Sequence, residues 1–433
     1  MENIVTAHQP LAMSSEIKLS RRAKLAAGQP ISELMSRALS NPNLISLAAG
    51  FVDQPTLPAE PTKTALEAIF NDHEEALSSL QYGTTPGFPS LREIILADII
   101  DQDGIDANRI DLDQIVVTAG SNQLLHLVVD SLLDPGDIVL CASPTYLVFL
   151  GILQNVGARS IGVANDENGM VPESLQETLE WIEQTGDLPR VKAIYLVPYY
   201  DNPCGITMPL ERRAAIVEIA KRWSHRGKIH VIADAAYREL RYEGEDVPST
   251  RACDEEGDTV IVAGTFSKSY SPGIRVGWGV LPKHLVPPVC DQKGNIDFGS
   301  PNFSQHVMAK VLELDLLRPH VVRIRENYAR KRDAMLEAAD RWLSPIPGLR
   351  WTNPTGGLYV WLQLPQEIDA GPDGQLFDAA IAEGMFYVPG QYSFPVEGEP
   401  IQRNTMRLSF GVQSCEKIAE GIEALSHALL TII

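Results

Sequence analysis

Val260-Ile261-Val262-Ala263-Gly264-Thr265-Phe266-Ser267-Lys268 begins as an unbroken apolar run and ends in hydroxyls and an amine. Val260 to Ala263 read as a buried strand, so Lys268 stands where a strand opens into a loop. The loop continues through Ser271-Pro272-Gly273-Ile274 to a second cation, Arg275. Among small and apolar neighbours and beside that charge, the ammonium of Lys268 is disfavoured and its free amine favoured. Such an amine is a nucleophile for carbonyl carbons, and Thr265, Ser267 and Arg275 are donors suited to a phosphate. The competing reading is a plain surface lysine followed by a Pro-Gly turn.

The apolar strand pattern recurs on both sides of this stretch. Ile115-Val116-Val117-Thr118, Ile138-Val139-Leu140, Ala193 to Val197, Ile229 to Ile232 and Val276 to Val280 read as strands. Between them lie helical patterns at Gln123 to Leu133, Tyr146 to Val156 and Leu210 to Arg226. This alternation predicts an α/β fold, a mostly parallel mixed sheet covered on both faces. After Asn302, charged helices (Phe303 to Leu316, His320 to Trp342) give way to short strands at Leu358 to Leu362 and Met406 to Phe410, then a terminal helix from Glu416. That order predicts a separate, smaller α+β domain. Near the start, residues 1–28 read as an arm ordered by docking, Ile31 to Leu39 as a short amphipathic helix, and Gln54 to Pro61 as a connector. The expected organisation is an arm and part of the small domain over 1–60, a large cofactor-binding domain over 61–302, and the rest of the small domain over 303–433.

Composition narrows the partners. A net charge of −20 over 433 residues gives no basic footprint for nucleic acid and disfavours anionic membrane surfaces. A small anion can still be held by a few arginines and helix N-termini. Five scattered cysteines, without metal-ligand or redox spacing, predict free thiols, no metal site and a reducing compartment. The first thirty residues lack an unbroken apolar core and no later run is long enough to span a bilayer, so the expected location is the cytoplasm.

Three further loops follow predicted strands. Ala119-Gly120-Ser121-Asn122 opens a helix, and helix starts offer amides to anions, although a glycine before a capping serine is common in any α/β protein. Tyr199-Tyr200-Asp201-Asn202-Pro203-Cys204-Gly205 is an ordinary turn by composition, yet Asn202 is placed to donate its amide to a ligand. In Val231-Ile232-Ala233-Asp234-Ala235-Ala236-Tyr237, an aspartate stands at the carboxyl end of an apolar strand, where α/β folds bind ligands. Together the loops supply what pyridoxal 5'-phosphate requires: an amine for its Schiff base, a carboxylate for its ring nitrogen, donors for its phenolate and a phosphate cradle. On this reading Lys268 is the imine lysine and Asp234 faces the pyridinium. Asn202 and Tyr237 contact the phenolate, while Gly120, Ser121, Asn122, Thr265, Ser267 and Arg275 hold the phosphate.

The motifs resemble those of the fold-type I aminotransferases (class I/II), and more narrowly the 2-aminoadipate and kynurenine type. The resemblance runs from about Ile31 to the C-terminus. It rests on Ile45-Ser46-Leu47-Ala48-Ala49-Gly50, Leu80-Gln81-Tyr82-Gly83, Gly87-Phe88-Pro89-Ser90-Leu91-Arg92, Ser143-Pro144-Thr145-Tyr146, Asn202-Pro203-Cys204-Gly205, Asp234-Ala235-Ala236-Tyr237, Ser267-Lys268 with Pro272-Gly273-Ile274-Arg275, and Thr405-Met406-Arg407-Leu408-Ser409-Phe410. It implies a transaminase moving an amino group from an α-amino acid to a 2-oxo acid. It also implies that Tyr146 stacks on the cofactor ring, that Arg407 clamps the substrate α-carboxylate and that Gly50 lets substrate pass close to the backbone. Tyr82 resembles the residue that reaches the neighbouring subunit's phosphate, so the resemblance implies a homodimer with shared active sites. The chain departs from the family pattern at Cys204, where threonine is usual, and at Asn122, where glutamine is usual. It departs also over Asp291 to Pro301 and Tyr392-Ser393-Phe394-Pro395, both expected to border the substrate pocket. Ile31-Ser32-Glu33-Leu34 lacks the cation that some relatives present to an acidic side chain. Rival readings are β-elimination or decarboxylation on the same scaffold, and a transcriptional regulator with an aminotransferase-like domain.

Overall fold

The computed structural model describes residues 18–26 and 44–433. Its strands are β1 (Ile45–Ser46), β2 (Ile115–Thr118), β3 (Ile138–Ser143), β4 (Arg159–Asp166), β5 (Gly169–Met170), β6 (Val191–Leu196), β7 (His230–Asp234), β8 (Val260–Thr265) and β9 (Gly277–Val280), followed by β10 (Arg350–Trp351), β11 (Tyr359–Gln363), β12 (Met385–Phe386), β13 (Val388–Pro389), β14 (Glu397–Gly398) and β15 (Thr405–Ser409). The large sheet runs in the order β14-β4-β3-β6-β7-β8-β9-β2, with β5 added to β4. Its strands are parallel from β14 to β8, and β9 is antiparallel to both β8 and β2. The fold is therefore α/β with a mostly parallel mixed sheet, as the apolar runs predict.

Period-two side-chain alternation explains why these runs are apolar throughout. Val260 and Val262 enter one core while Ile261 and Ala263 enter the core on the opposite face. The helices Ser121–Leu132, Leu147–Val156, Pro172–Thr185 and Leu210–Trp223 cover the sheet. The last of these ends three residues short of the expected Arg226, at a turn beginning at Ser224. The helices Ala59–Asn71, Pro89–Asp103 and Pro172–Thr185 and strand β4 are not singled out by the sequence reading. The proline-rich connector is also shorter than expected: Pro61 lies in the first turn of the helix Ala59–Asn71, where a missing amide donor costs nothing.

A second core gathers Ile324, Tyr328, Tyr359, Met406 and Ile422 beneath the antiparallel sheet β10-β11-β15-β13. β1 pairs in parallel with β12, so the segment just before the connector joins this second core. The helix Asn302–Glu313 sends Met308, Ala309 and Val311 into the first core. β14 crosses the other way, adding two residues of the C-terminal half to the edge of the large sheet. Arg159 holds it there, with Nη2 at 2.6 Å from Glu397 and Nη1 at 2.9 Å from Asp187. In the arm, the short helix Arg21–Leu25 pairs Arg22 with Asp130, whereas the expected helix Ile31 to Leu39 lies outside the described residues. No helix among the described residues is long and apolar enough to cross a membrane.

Candidate active site

β2, β6, β7 and β8 point the same way, so their C-terminal ends deliver four loops to one side of the sheet. After β2 the chain turns at Gly120 with φ 85°, and the helix Ser121–Leu132 begins there. A Cβ at Gly120 would lie 2.5 Å from Arg275 Nη2, which donates to Ala119 O at 2.9 Å. Arg275 itself has φ 53°, a left-handed conformation that folds its side chain back over this turn. After β8, Thr265 Oγ1 accepts from Ser267 N at 3.1 Å and donates to the Ser267 hydroxyl at 3.0 Å.

These loops enclose a cavity of about 300 Å³ lined by Ser121, Asn122, Tyr146, Asn202, Asp234, Tyr237, Thr265, Ser267, Lys268 and Arg275. A second cavity of about 210 Å³ shares Gly50, Tyr146, Asn202, Tyr237 and Lys268 with it. It adds Arg407 and an apolar wall of Leu147, Val148, Phe386 and Val388. The amine of Lys268 donates to Gly50 O at 2.7 Å. Asp234 is 4% exposed; its Oδ2 accepts from the Tyr195 hydroxyl at 3.1 Å and its Oδ1 from Ala236 N at 3.2 Å. Asn202 Nδ2 donates to the Tyr237 hydroxyl at 3.4 Å, and Asn202 Oδ1 accepts from Arg407 Nη1 at 2.8 Å. Arg407 Nη2 donates to Ala48 O at 2.8 Å, leaving Nε buried with no partner among the described residues.

Burial dominates the electrostatics. It holds the Lys268 amine below its ordinary pKa; the Tyr359 phenol opposes this, and the charges of Arg407 and Arg275 deepen it. Burial pushes Asp234 up to about 6, against the hydrogen bonds from Tyr195 and Ala236. It also raises the phenols of Tyr146 and Tyr237, which therefore keep protons to donate. The site thus brings together an amine inclined to be neutral, a carboxylate ready for a cationic partner and a guanidinium with a spare donor.

Tyr82 stands outside both cavities, 82% exposed and edge-on to Phe298 with centroids 5.7 Å apart. Neither Asp291 to Pro301 nor Tyr392 to Pro395 lines these cavities: the first stretch packs Phe298 on Tyr82 and Asp297 on Gln123, and the second has Ser393 O accepting from Thr145 N. Two tyrosines of the site, and the apolar wall of Leu147, Val148, Phe386 and Val388, escape the sequence reading. Tyr195 interrupts an apolar strand with a hydroxyl, and a buried phenol needs a partner; that is the signal that could have linked it to Asp234. Tyr359 follows Gly356-Gly357-Leu358, far along the chain, and only tertiary packing brings it to the wall.

The profile of the family described as "Aminotransferase class I and II" matches residues 42–425. The chain is 35% identical to the "Aromatic-amino-acid aminotransferase 1" of Thermococcus litoralis, covering 93% of each chain. It is 31% identical to the "2-aminoadipate transaminase" of Thermus thermophilus, over 92% of this chain and 93% of that one. Among solved structures, it superposes on the kynurenine aminotransferase of Pyrococcus horikoshii, crystallised with pyridoxamine phosphate, with a TM-score of 0.88. That match has 34% identity and covers 96% of this chain and 97% of the other.

Proposed function

We propose a division of labour for the residues of this chain, which belongs to the class I and II aminotransferases and is a pyridoxal-phosphate-dependent transaminase of amino acids and 2-oxo acids. The reading is carried by one observation: Lys268, Asp234 and a cradle of hydroxyls, a helix start and Arg275 line the same cavity, which opens onto Arg407. The donor set fits the cofactor, since the amine is suppressed toward its neutral form and the Arg407 Nε is left for a ligand acceptor. Bound there, the cofactor supplies an electron sink for negative charge at the substrate Cα.

The chain's own residues do the rest. Lys268 would anchor the cofactor and, once released, its amine would take the proton from the substrate Cα. Asp234 keeps a proton on the ring nitrogen, with Tyr195 fixing the carboxylate in orientation. Asn202 and Tyr237 donate to the ring oxygen, and Tyr146 supplies an aromatic wall. Ser121, Asn122, Thr265, Ser267 and Arg275 hold the phosphate, with Gly120 giving the turn its tightness. Arg407 takes the substrate carboxylate on its planar fork. The apolar wall of Leu147, Val148, Phe386 and Val388 favours donors with aromatic or large apolar side chains. We assign a cytoplasmic setting and a homodimer in which Tyr82 reaches the partner's phosphate site.

Lys268→Ala is the direct test. Transamination should fall by about 10⁴-fold, and the visible absorbance of lysine-linked cofactor should vanish. A variant that keeps both overturns the assignment. A panel of amino donors should rank aromatic and large apolar side chains above dicarboxylates in kcat/KM.

A further inference from the structure

His230 opens β7, and His284 lies in the turn Lys283–Leu285 that follows β9. β7, β8 and β9 are neighbours in the large sheet, so the two imidazoles meet at the rim opposite the loops of the cofactor cavity. Their Nε2 atoms stand 3.5 Å apart, with ring centroids at 5.2 Å and planes tilted by 32°. His230 is 3% exposed, whereas His284 reaches solvent. The two lie 54 residues apart in the chain, so no ligand-spacing motif marks them in the sequence.

The far side of His230 fixes its proton. Nδ1 lies 3.3 Å from the carbonyl of Thr259, the residue before β8. A carbonyl only accepts, so Nδ1 is the protonated nitrogen and the lone pair of the neutral ring falls on Nε2, facing His284. Burial, reinforced by His284 and opposed by the Thr259 bond, takes this imidazole from 6.5 down to about 4, so it is neutral at pH 7. A ring anchored to a carbonyl at one nitrogen and free at the other is how metal-ligating histidines are usually held. At 3.5 Å the two Nε2 atoms are too far apart for a normal N–H hydrogen bond. Two imidazoles bound to one tetrahedral ion at about 2.1 Å stand about 3.4 Å apart, and a right-angled pair about 3.0 Å.

We propose that His230 and His284 form a binding site for a tetrahedral divalent transition-metal ion, zinc(II) being the best match, which braces the sheet between the start of β7 and the end of β9. Among the described residues no third His, Cys, Asp or Glu joins them, so water completes the shell from the exposed side of His284. Neighbouring charge does not oppose a cation: Lys228 is paired with Asp258 at 2.7 Å, and the chain carries −20 overall. Asp234 closes the same strand four residues on, about 13 Å away, and neither histidine lines the cofactor or substrate cavity. The ion is therefore structural and takes no part in the transfer of the amino group.

Zinc(II) titrated into the holoenzyme by calorimetry should bind as one ion per chain. His284→Ala, a change on an exposed turn, should weaken that step by at least about 10-fold. His225→Ala, which removes an exposed histidine lying 3.2 Å from Glu183 instead, should bind as wild type does. Cobalt(II) in the same site should show the intense visible bands of a four-coordinate ion, and magnesium(II), which prefers oxygen ligands, should not displace it. Without added metal, His284→Ala should transaminate at the wild-type rate, which shows that it folds. The proposal is overturned if the wild type takes up no zinc, or if His284→Ala binds it as well as the wild type. Equal loss of binding in both histidine variants also overturns it, marking adventitious uptake at surface histidines. The titration reads no turnover, so its outcome is independent of the transaminase assignment.

Discussion

Asp234 shows how a single carboxylate links stability to function. Its ordinary value is 3.8, and burial raises it to about 6, so the folded, cofactor-free chain binds more protons than the unfolded one between those values. Stability contributed by its neutral form is complete below pH 3.8 and lost as pH rises through about 6, a penalty of roughly 3 kcal/mol. Asp234→Asn should therefore melt higher than wild type at pH 8 without cofactor, and alike at pH 4. The same variant should transaminate on the order of 10²-fold more slowly, having no anion to hold the ring proton. Equal melting curves at pH 8 would refute the burial account. Lys268 and Asp234 are legible in the sequence because Asp234 closes an apolar strand and Lys268 stands in the loop three residues beyond another, at the strand ends where α/β folds bind ligands. Tyr195 and Tyr359 are less legible, since a phenol packs as an ordinary aromatic and its polar tip matters only once another element arrives.

The loop between β6 and the helix Leu210–Trp223 carries Asn202, and its shape depends on Arg213. That side chain is fully buried and donates to Met208 O at 2.9 Å and to Pro248 O and Pro198 O at 2.8 Å each. Its guanidinium also lies 4.1 Å from the centre of the Tyr199 ring. Arg213→Met would leave three carbonyls short of a donor and should destabilise the chain by about 3 kcal/mol or more, read as a shift in denaturant midpoint at constant slope. A loss below 1 kcal/mol would mean the loop holds itself. Strands of the central sheet are easy to find in the sequence because burial on both faces demands unbroken apolar runs. β4 is harder, since Arg159, Ser160 and Asn165 break its run. The helices Ala59–Asn71 and Pro89–Asp103 hide behind prolines that only the cap geometry identifies as helix starts.

Leu77, Leu80, Tyr82, Ile296 and Phe298 are each more than half exposed, and Asn302 Nδ2 donates to Ser78 O at 2.9 Å and Gln81 O at 3.0 Å, drawing two of these segments together. An apolar patch of this kind, on a chain whose cavity is bordered by the exposed Arg275, suits a second copy of the chain. Sedimentation should give a dimer. Mixing Tyr82→Ala with Lys268→Ala chains at limiting cofactor should restore about a quarter of wild-type activity, one whole site per mixed dimer. Mixtures no better than their components would rule out a shared site. The alternating half and the segregated half of the molecule are both visible in the order of elements, but the traffic between them is not, because β1 and β14 are two-residue strands defined only by their partners. β14 has a mechanical consequence. Pairing Glu397 with Ile161 and Gly398 with Gly162 tethers the chain just ahead of β15 to the rim of the large sheet, so the strand that carries Arg407 is fastened, at a point outside the cavity, to the sheet whose loops carry Lys268.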